Sequence, residues 1–532
     1  MKLNEQQMQV VNSNSDKIVC IASAGSGKTA TMLCRIDRLV SEGVAADSIL
    51  VLTFTNAAAQ ELTDRYMRNH PSETVIPVFK TFHAFCYSLI AKDVDVRSCL
   101  GYGSIPSIAT DEDIRRIRML IIASCKIKLS EKKLSMDRKL LLPKEQFEYD
   151  VYWKAYKKQM CIENKITFDM MCNDVSKLFV DNSSVVKIYK DKYRYIMCDE
   201  HQDTDTTQFA FVDSFTSAKL FVCGDPQQML YRFRGCTNDI IKRLAESPEW
   251  ELIKLPHNYR STKEIVDFSN QIFAKKWKDS PYYIAGETDK VGEPIIKKGA
   301  FPCKSKDLID IAVQMQQDIN NKKTVAILCR TNALVAEIQS MFKELNIPVR
   351  GKADNSDIIG LLKSILDSNF CVQWIAGKLP NEDYLQYLRL STLDPSYNEE
   401  QKFLQTFGGK YVRLLDKLFE CRNIMSQNKL IPEMIADLAK FLHIEGKVDI
   451  TKVFDKSMQE SIDYLIDIIN TSVNQGIYIG TIHSVKGLEY DVVHIVDVDG
   501  DSFETYRNED EMACFYVACT RAKELLYLWY SA

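Results

Sequence analysis

A chain of 532 residues, 46% hydrophobic and 26% charged, is too long for one core and too apolar to be disordered, so several packed domains are expected. A net charge of −4 does not mark a globally basic nucleic-acid binder; any polynucleotide would need a local basic lining. The 16 cysteines form no Cys-x-x-Cys pair, which argues against a zinc site, an iron–sulfur cluster or a disulfide framework. With no signal peptide and no long apolar span, the chain is expected in the cytoplasm, without a membrane contact.

In chain order, Ile18-Val19-Cys20-Ile21 reads as a buried strand and Thr31 to Ile36 as the start of a helix. Between them lies Ala22-Ser23-Ala24-Gly25-Ser26-Gly27-Lys28-Thr29, a small-residue loop ending in Lys-Thr. Strand, loop and helix in this order make a phosphate cradle, because the N–H groups of Ala24 to Gly27 and the helix N-terminus converge on one anion. Lys28 is placed to reach the β- and γ-phosphates and the Thr29 hydroxyl to hold Mg²⁺, so ATP and Mg²⁺ are the expected cofactors. Ala22 replaces the usual first Gly, but a plain turn before a core helix has no need of Lys-Thr.

Further on, Asp111 to Ser130 carries Ile114, Ile117, Leu120 and Ile121 at helical spacing. Tyr195-Ile196-Met197-Cys198 reads as another buried strand, with Asp199-Glu200 at its end. An acid there can hold Mg²⁺ and its neighbour can deprotonate an attacking water. Thr324 to Leu328 and Glu524 to Trp529 read as strands, and Ile358 to Leu366 and Met434 to Leu442 as helices. Cys20, Cys198, Cys223 and Cys329 sit in apolar runs and read as reduced core residues.

Nine short segments, in one order, resemble the motifs of UvrD/Rep/PcrA-type superfamily 1A DNA helicases. They are Leu3-Asn4-Glu5-Gln6-Gln7, Thr53-Phe54-Thr55-Asn56-Ala57-Ala58, Thr81-Phe82-His83, Asp199-Glu200-His201-Gln202-Asp203-Thr204, Gly224 to Gly235, Asn258-Tyr259-Arg260-Ser261, Leu328 to Ala333, Thr481 to Glu489 and Tyr516 to Ala522. The resemblance implies that Gln7 reads the adenine edge and that Tyr259 stacks on its face. It implies that Arg260 and Arg521 act as arginine fingers, that Gln228 senses the γ-phosphate and that Glu489 meets the nucleotide from the second lobe. For single-stranded DNA it implies stacking on Phe54, Tyr231 and Phe233, with Thr55, Asn56, Thr81, His83, Arg330, Asn332 and His483 at phosphates or sugars. Departures from the pattern are His201 in place of Phe, Phe233 of Trp, Arg232 of Gly and Ala57 of Lys.

The implied fold is α/β, with two RecA-like P-loop NTPase lobes and mainly helical inserted subdomains. Residues 1–90 and 190–258 would form lobe 1A, 91–189 the insertion 1B, 259–350 and 475–532 lobe 2A, and 351–474 a reduced insertion 2B. The implied activity is ATP-dependent 3′-to-5′ DNA unwinding by movement along single-stranded DNA, with single-strand/duplex junctions as the substrate. The small 351–474 segment motivates an alternative, a DNA-stimulated translocase that unwinds little and serves a repair or phage-defence nuclease as a partner subunit. A strand-separation assay with and without partners separates the two. A non-catalytic scaffold is opposed by the intact Lys28, Glu200, Arg260 and Arg521 set.

Overall fold

The computed structural model describes residues 3–230 (except 135–137, 139 and 140), 239–299, 311–344 (except 312, 314, 316 and 320), 349–350, 362, 420, 423–424, 430–441, 448–498 (except 455 and 474–476) and 508–530. The described strands are β1 (Lys17–Ala22), β2 (Ile49–Thr53), β3 (Val78–Thr81), β4 (Ser107–Ile108), β5 (Lys165–Ile166), β6 (Tyr195–Cys198), β7 (Lys219–Gly224), β8 (Glu251–Leu255), β9 (Ile296–Lys298), β10 (Val325–Cys329), β11 (Val349–Arg350), β12 (Ile477–Thr481), β13 (Tyr490–Ile495) and β14 (Ala522–Trp529). The chain divides into two compact units, one of Met1–Leu308, Val325–Gln339 and Gly480–Ala532, the other of Ile309–Thr324 and Ser340–Ile479.

The first unit holds two large parallel sheets. One has the order β3-β2-β6-β7-β1-β8, with Cys20 beside Cys223 and Val19 beside Leu252. The alternation of side chains along a strand explains why it is covered on both faces. Ile18, Cys20, Ile49 and Val51 face Met32, Ile36, Leu62 and Tyr66 of the helices Lys28–Ser41 and Asn56–Asn69. Val19, Ile21, Leu50 and Leu52 face the other way, toward Phe85, Phe179 and Phe211. Each aliphatic side chain so buried contributes about 1.5–3 kcal/mol. Within this unit the other sheet runs β10-β13-β14-β9, with Ile327 beside His494 and Val493 beside Leu526. Strands β10 and β14 coincide with the segments read as strands from sequence. The helices Lys263–Trp277 and Glu509–Cys519 pack together through Phe273 on Tyr516 and Phe268 on Phe515.

The segment after residue 90 is mainly helical, with a small parallel pair β4–β5, and its Tyr102, Ile117, Tyr152 and Met160 belong to the same apolar cluster as the sheet face. The helix expected over Asp111 to Ser130 runs only from Asp111 to Ser124. Cys125 caps it and Lys126 turns into the left-handed region at φ 52°, which ends an α-helix. Ile117 and Ile121 are buried while Leu120 is exposed, so the apolar stripe is narrower than its spacing suggested.

In the second unit β11 pairs with β12, Val349 beside Ile477. There Ile435 and Leu438 of the helix Ile431–Phe441 pack with Leu362, Ile462 and Leu465. The helix read over Ile358 to Leu366 lies outside the described residues apart from Leu362.

Candidate active site

The site is assembled at the carboxyl ends of the adjacent strands β6, β7, β1 and β8, where a parallel sheet leaves a crevice. After β1 the chain forms the loop Ser23–Gly27, and Gly27, at φ 76° and ψ 28°, caps the helix that begins at Lys28. Gly25 has φ 70°, and a Cβ on it would stand 2.7 Å from both Arg260 Cβ and Asn258 Oδ1. Glycine is therefore required there twice, for the left-handed backbone and for close approach of the chain after β8. Ala24 and Ser26 are buried, and the Ser26 hydroxyl has no hydrogen-bond partner. Thr29 is half-buried in the first turn of the helix.

Lys28 Nζ lies 3.1 Å from Glu200 Oε1. Burial by itself lowers the Lys28 ammonium, but Glu200, Asp225 and Asp199 outweigh it and hold the group above its ordinary value. Burial likewise opposes the Glu200 charge, and Lys28 and Lys486 outweigh it, so this carboxyl is held below the usual range. Asp199 goes the other way, raised by burial and by the neighbouring Glu200 charge. The two acids expected from sequence to divide the labour are thus split electrostatically. Glu200 has φ 52°, a strained position for a residue with a side chain. His201 is buried, its Nδ1 3.1 Å from the Thr204 hydroxyl, and burial lowers its pKa to about 3.

Gln7 is fixed by the capping box with Asn4, and its Nε2 donates to the Ser26 carbonyl at 3.1 Å. Tyr259 stands beside it, its N–H donating to the Gly25 carbonyl at 2.9 Å and its hydroxyl 3.4 Å from Gln7 Oε1. Tyr259 is 40% exposed, enough to offer a face. Asn258 Oδ1 accepts from the N–H groups of Arg260 and Ser261, at 2.7 and 2.9 Å, and sets the turn. Arg260 Nε donates to Glu489 Oε2 at 2.7 Å and its Nη1 to the Thr520 carbonyl at 3.2 Å. Arg521 is 2% exposed and donates to Gln228 Oε1 at 3.2 Å and to the carbonyls of Leu488 and Val517. Burial, with Arg260 beside it, lowers its pKa to about 9. Glu489 and Arg521 precede β13 and β14 in the second sheet, so both sheets contribute to one cluster. Lys486 pairs with the fully buried Asp203 and donates to the Gln228 carbonyl at 3.3 Å. Sequence reading gave Gln202, Asn258 and Lys486 no role, although each lies inside a recognised segment.

Residues 3–249 match the family model of the UvrD/REP helicase N-terminal domain, and residues 253–356 and 381–532 match that of the UvrD-like helicase C-terminal domain. The chain belongs to the UvrD/Rep-like helicases. A probable DNA helicase II homolog of Mycoplasma capricolum is 27% identical, over 99% of this chain and 84% of that protein. The ATP-dependent DNA helicase PcrA of Staphylococcus aureus is 25% identical over 99% of this chain and 83% of its own length, and that of Staphylococcus epidermidis 26% over 99% and 83%. Membership makes this chain an ATP-hydrolysing DNA helicase, and its two parallel sheets are the RecA-like lobes of the fold.

The residues of this UvrD-like helicase expected at DNA have mixed settings. Phe54 is half-buried, and Thr55, Asn56 and Asn332 are exposed. The Thr55 and Thr81 hydroxyls both serve as helix caps, accepting at 3.1 Å from the N–H groups of Ala58 and Ala84. Thr81 also donates to Asn56 Oδ1 at 3.4 Å. His83 packs edge-on against Phe168, and its pKa is raised by a hydrogen bond with Cys172. Arg330 forms a two-pronged pair with Glu511 at 2.8 and 3.0 Å. Burial and the Arg330 charge lower the pKa of His483. Tyr231 and Phe233 lie outside the described residues. Among the described residues no helix is long and apolar enough to cross a membrane.

Proposed function

We propose that this helicase hydrolyses ATP with Mg²⁺ and moves 3′ to 5′ along single-stranded DNA, separating strands at single-strand/duplex junctions in the cytoplasm. One observation carries the reading. Lys28, Glu200 and Arg260, at the ends of strands of the first sheet, meet Glu489 and Arg521 of the second. Lys28 pairs with Glu200, and Glu200 is linked through Gln202, Asp225 and Gln228 to Arg521. Arg260 bonds Glu489 and the Thr520 carbonyl beside Arg521. A triphosphate fits this cluster, because the loop turns through left-handed Gly25 and Gly27 into the N-terminus of the helix Lys28–Ser41 and Lys28 is kept charged beside it.

In this reading Ala24 to Gly27 and Lys28 bind the phosphates, Tyr259 stacks on adenine, and Gln7 meets its edge with the amide hydrogen not given to Ser26. Thr29 and Asp199 supply the hard oxygen donors that suit Mg²⁺, which neutralises charge on the phosphate oxygens. Lys28 leaves Glu200 for the phosphates, and the freed carboxylate accepts a proton from the attacking water. Arg260 and Arg521 stabilise charge on the transferring phosphoryl group, an effect worth roughly 10³–10⁵ in rate. Their attraction to that group draws the lobes together, and its loss on hydrolysis releases them. Alternating grips through Phe54, Thr55, Asn56, Thr81, His83, Tyr231, Phe233, Arg330, Asn332 and His483 then move the strand. The direction and the single-strand track rest on the family. A nuclease or repair protein as partner would load this motor rather than replace it.

The test is strand separation on duplexes carrying a 3′ or a 5′ single-stranded tail, with ATP. Unwinding of the 3′-tailed duplex alone is expected. Unwinding of the 5′-tailed duplex alone, or of neither, refutes the proposal.

A further inference from the structure

One buried side chain of the cluster has no role in the reading above. Gln202 is fully buried two residues after Glu200. Its Nε2 donates to Glu200 Oε2 at 2.5 Å, and its Oε1 accepts from the Asp225 N–H at 3.0 Å. A carboxylate on one side and an N–H on the other leave only one orientation for the amide. Asp225 then passes the connection on, with Oδ1 accepting from the Gln227 N–H at 3.0 Å and Oδ2 from Gln228 Nε2 at 2.7 Å. The Tyr516 hydroxyl lies 3.4 Å from Oδ2, and Gln228 Oε1 accepts from Arg521. The line from Glu200 to Arg521 is thus continuous and buried, where hydrogen bonds are strong and gaps are expensive.

Gly224 supports this assignment independently. It has no left-handed backbone to explain it, yet a Cβ there would lie 2.5 Å from Gln202 Oε1. The glycine leaves room for the Gln202 amide. Glutamate at 202 would repel Glu200, and an apolar residue would leave the Asp225 N–H without its acceptor.

We propose that Gln202 is the positioning residue that ties the Glu200 carboxylate to the Asp225–Gln228–Arg521 arm, so that proton abstraction and γ-phosphate contact are set as one unit. This rests on the catalytic roles assigned above. Losing the tie displaces Glu200 and Gln228 relative to each other without removing either, so kcat falls while binding persists. A misplacement of about 1 Å lowers rate by roughly 100-fold.

The experiment is steady-state ATP hydrolysis on oligo-dT by the full chain, its Gln202→Ala and Gly224→Ala variants and the double variant, with ATP KM, oligo-dT affinity and thermal melting measured on each. The expectation is a fall in kcat of roughly 10- to 100-fold in Gln202→Ala, with KM and oligo-dT affinity within about threefold. Gly224→Ala also loses kcat, but in the Gln202→Ala background it adds clearly less than its own single effect, because the 2.5 Å contact is gone and only the approaches to Ile241 Cδ1 and the residue-202 nitrogen, at 3.0 and 3.1 Å, remain. A kcat within twofold of the parent in Gln202→Ala, or a fully additive double variant, overturns the proposal. If Gln202→Ala does not fold, Gly224→Ala alone decides, and an unchanged kcat overturns it. A parent chain that hydrolyses no ATP on oligo-dT would sink the helicase reading itself, an outcome distinct from an active parent with an active Gln202→Ala.

Discussion

Replacing Lys486 by methionine tests how the two lobes are joined. Asp203, whose side chain is fully buried, pairs with Lys486, whose side chain is 12% exposed. Burial pushes the Asp203 carboxyl up to about 6, with Lys486 pulling it back down. Methionine keeps most of the apolar stem and removes the charge, so the buried Asp203 loses the cation paired with it. Breaking such a pair from one side costs about 3–5 kcal/mol. For a folding unit of several hundred residues this is a drop in melting temperature of about 4–6 °C. The pH dependence has a definite sign. A carboxyl whose folded pKa is raised contributes stability that is full below its unfolded value and is lost as pH rises through the folded value. Without Lys486 the folded pKa rises further, so Lys486→Met falls further behind the parent at pH 8 than at pH 6. Adding Asp203→Asn removes both the charge and the pH dependence, and recovers most of the loss. The assay is thermal melting of parent, single and double variants at both pH values. Melting within 1 °C of the parent at pH 8, or a double variant no better than the single, would refute the reasoning.

Three shorter predictions follow from other parts of the molecule. Tyr259→Ala raises the KM for ATP by roughly 5- to 150-fold through the lost stacking face, whereas Tyr259→Phe, which loses only the 3.4 Å hydroxyl contact with Gln7, stays within about threefold. Asp113 accepts from the Thr110 N–H at 3.0 Å and from Lys165 Nζ at 2.5 Å. Burial raises its pKa, but these partners outweigh that and hold it down to about 2, so Asp113→Asn loses about 1–2 kcal/mol at pH 7 after allowance for solvent screening. That contribution is present above the unfolded value near 4 and disappears as pH falls through about 2, so parent and variant converge in acid-induced unfolding. Arg35 is buried and its Nη1 donates to the carbonyls of Val10 and Ser13 at 2.6 and 2.8 Å, closing the helix that carries Gln7; Arg35→Met destabilises by about 2–3 kcal/mol in thermal melting and raises the KM for ATP.

Much of this was legible because local chemistry dictates local geometry. The Gly25-Ser26-Gly27-Lys28-Thr29 run needs left-handed glycines before a helix, and it has them. Asp199-Glu200 at the end of a buried strand could be read as an acid pair, though not which acid burial would raise. What stayed hidden depends on partners distant in the chain. Nothing near Asp203 announces Lys486, and nothing near Arg330 announces Glu511. Arg35 reads as a solvated helix residue until the preceding helix ends on it. The resemblance puts Thr55 and Thr81 at DNA; threonine before a helix is also a cap signal, and in the folded chain both hydroxyls cap. Gly224 shows the limit most plainly, since its reason is a side chain that arrives from the turn His201–Asp203, after another strand.

The central claim is that triphosphate cleavage in this cluster is stimulated by a single strand of DNA. The most direct measurement is ATP turnover by purified parent and Lys28→Ala chains with and without oligo-dT. Turnover that oligo-dT stimulates in the parent and that is lost in Lys28→Ala is the predicted result. Equal turnover by both chains, or no response of the parent to any single-stranded polymer, would contradict it.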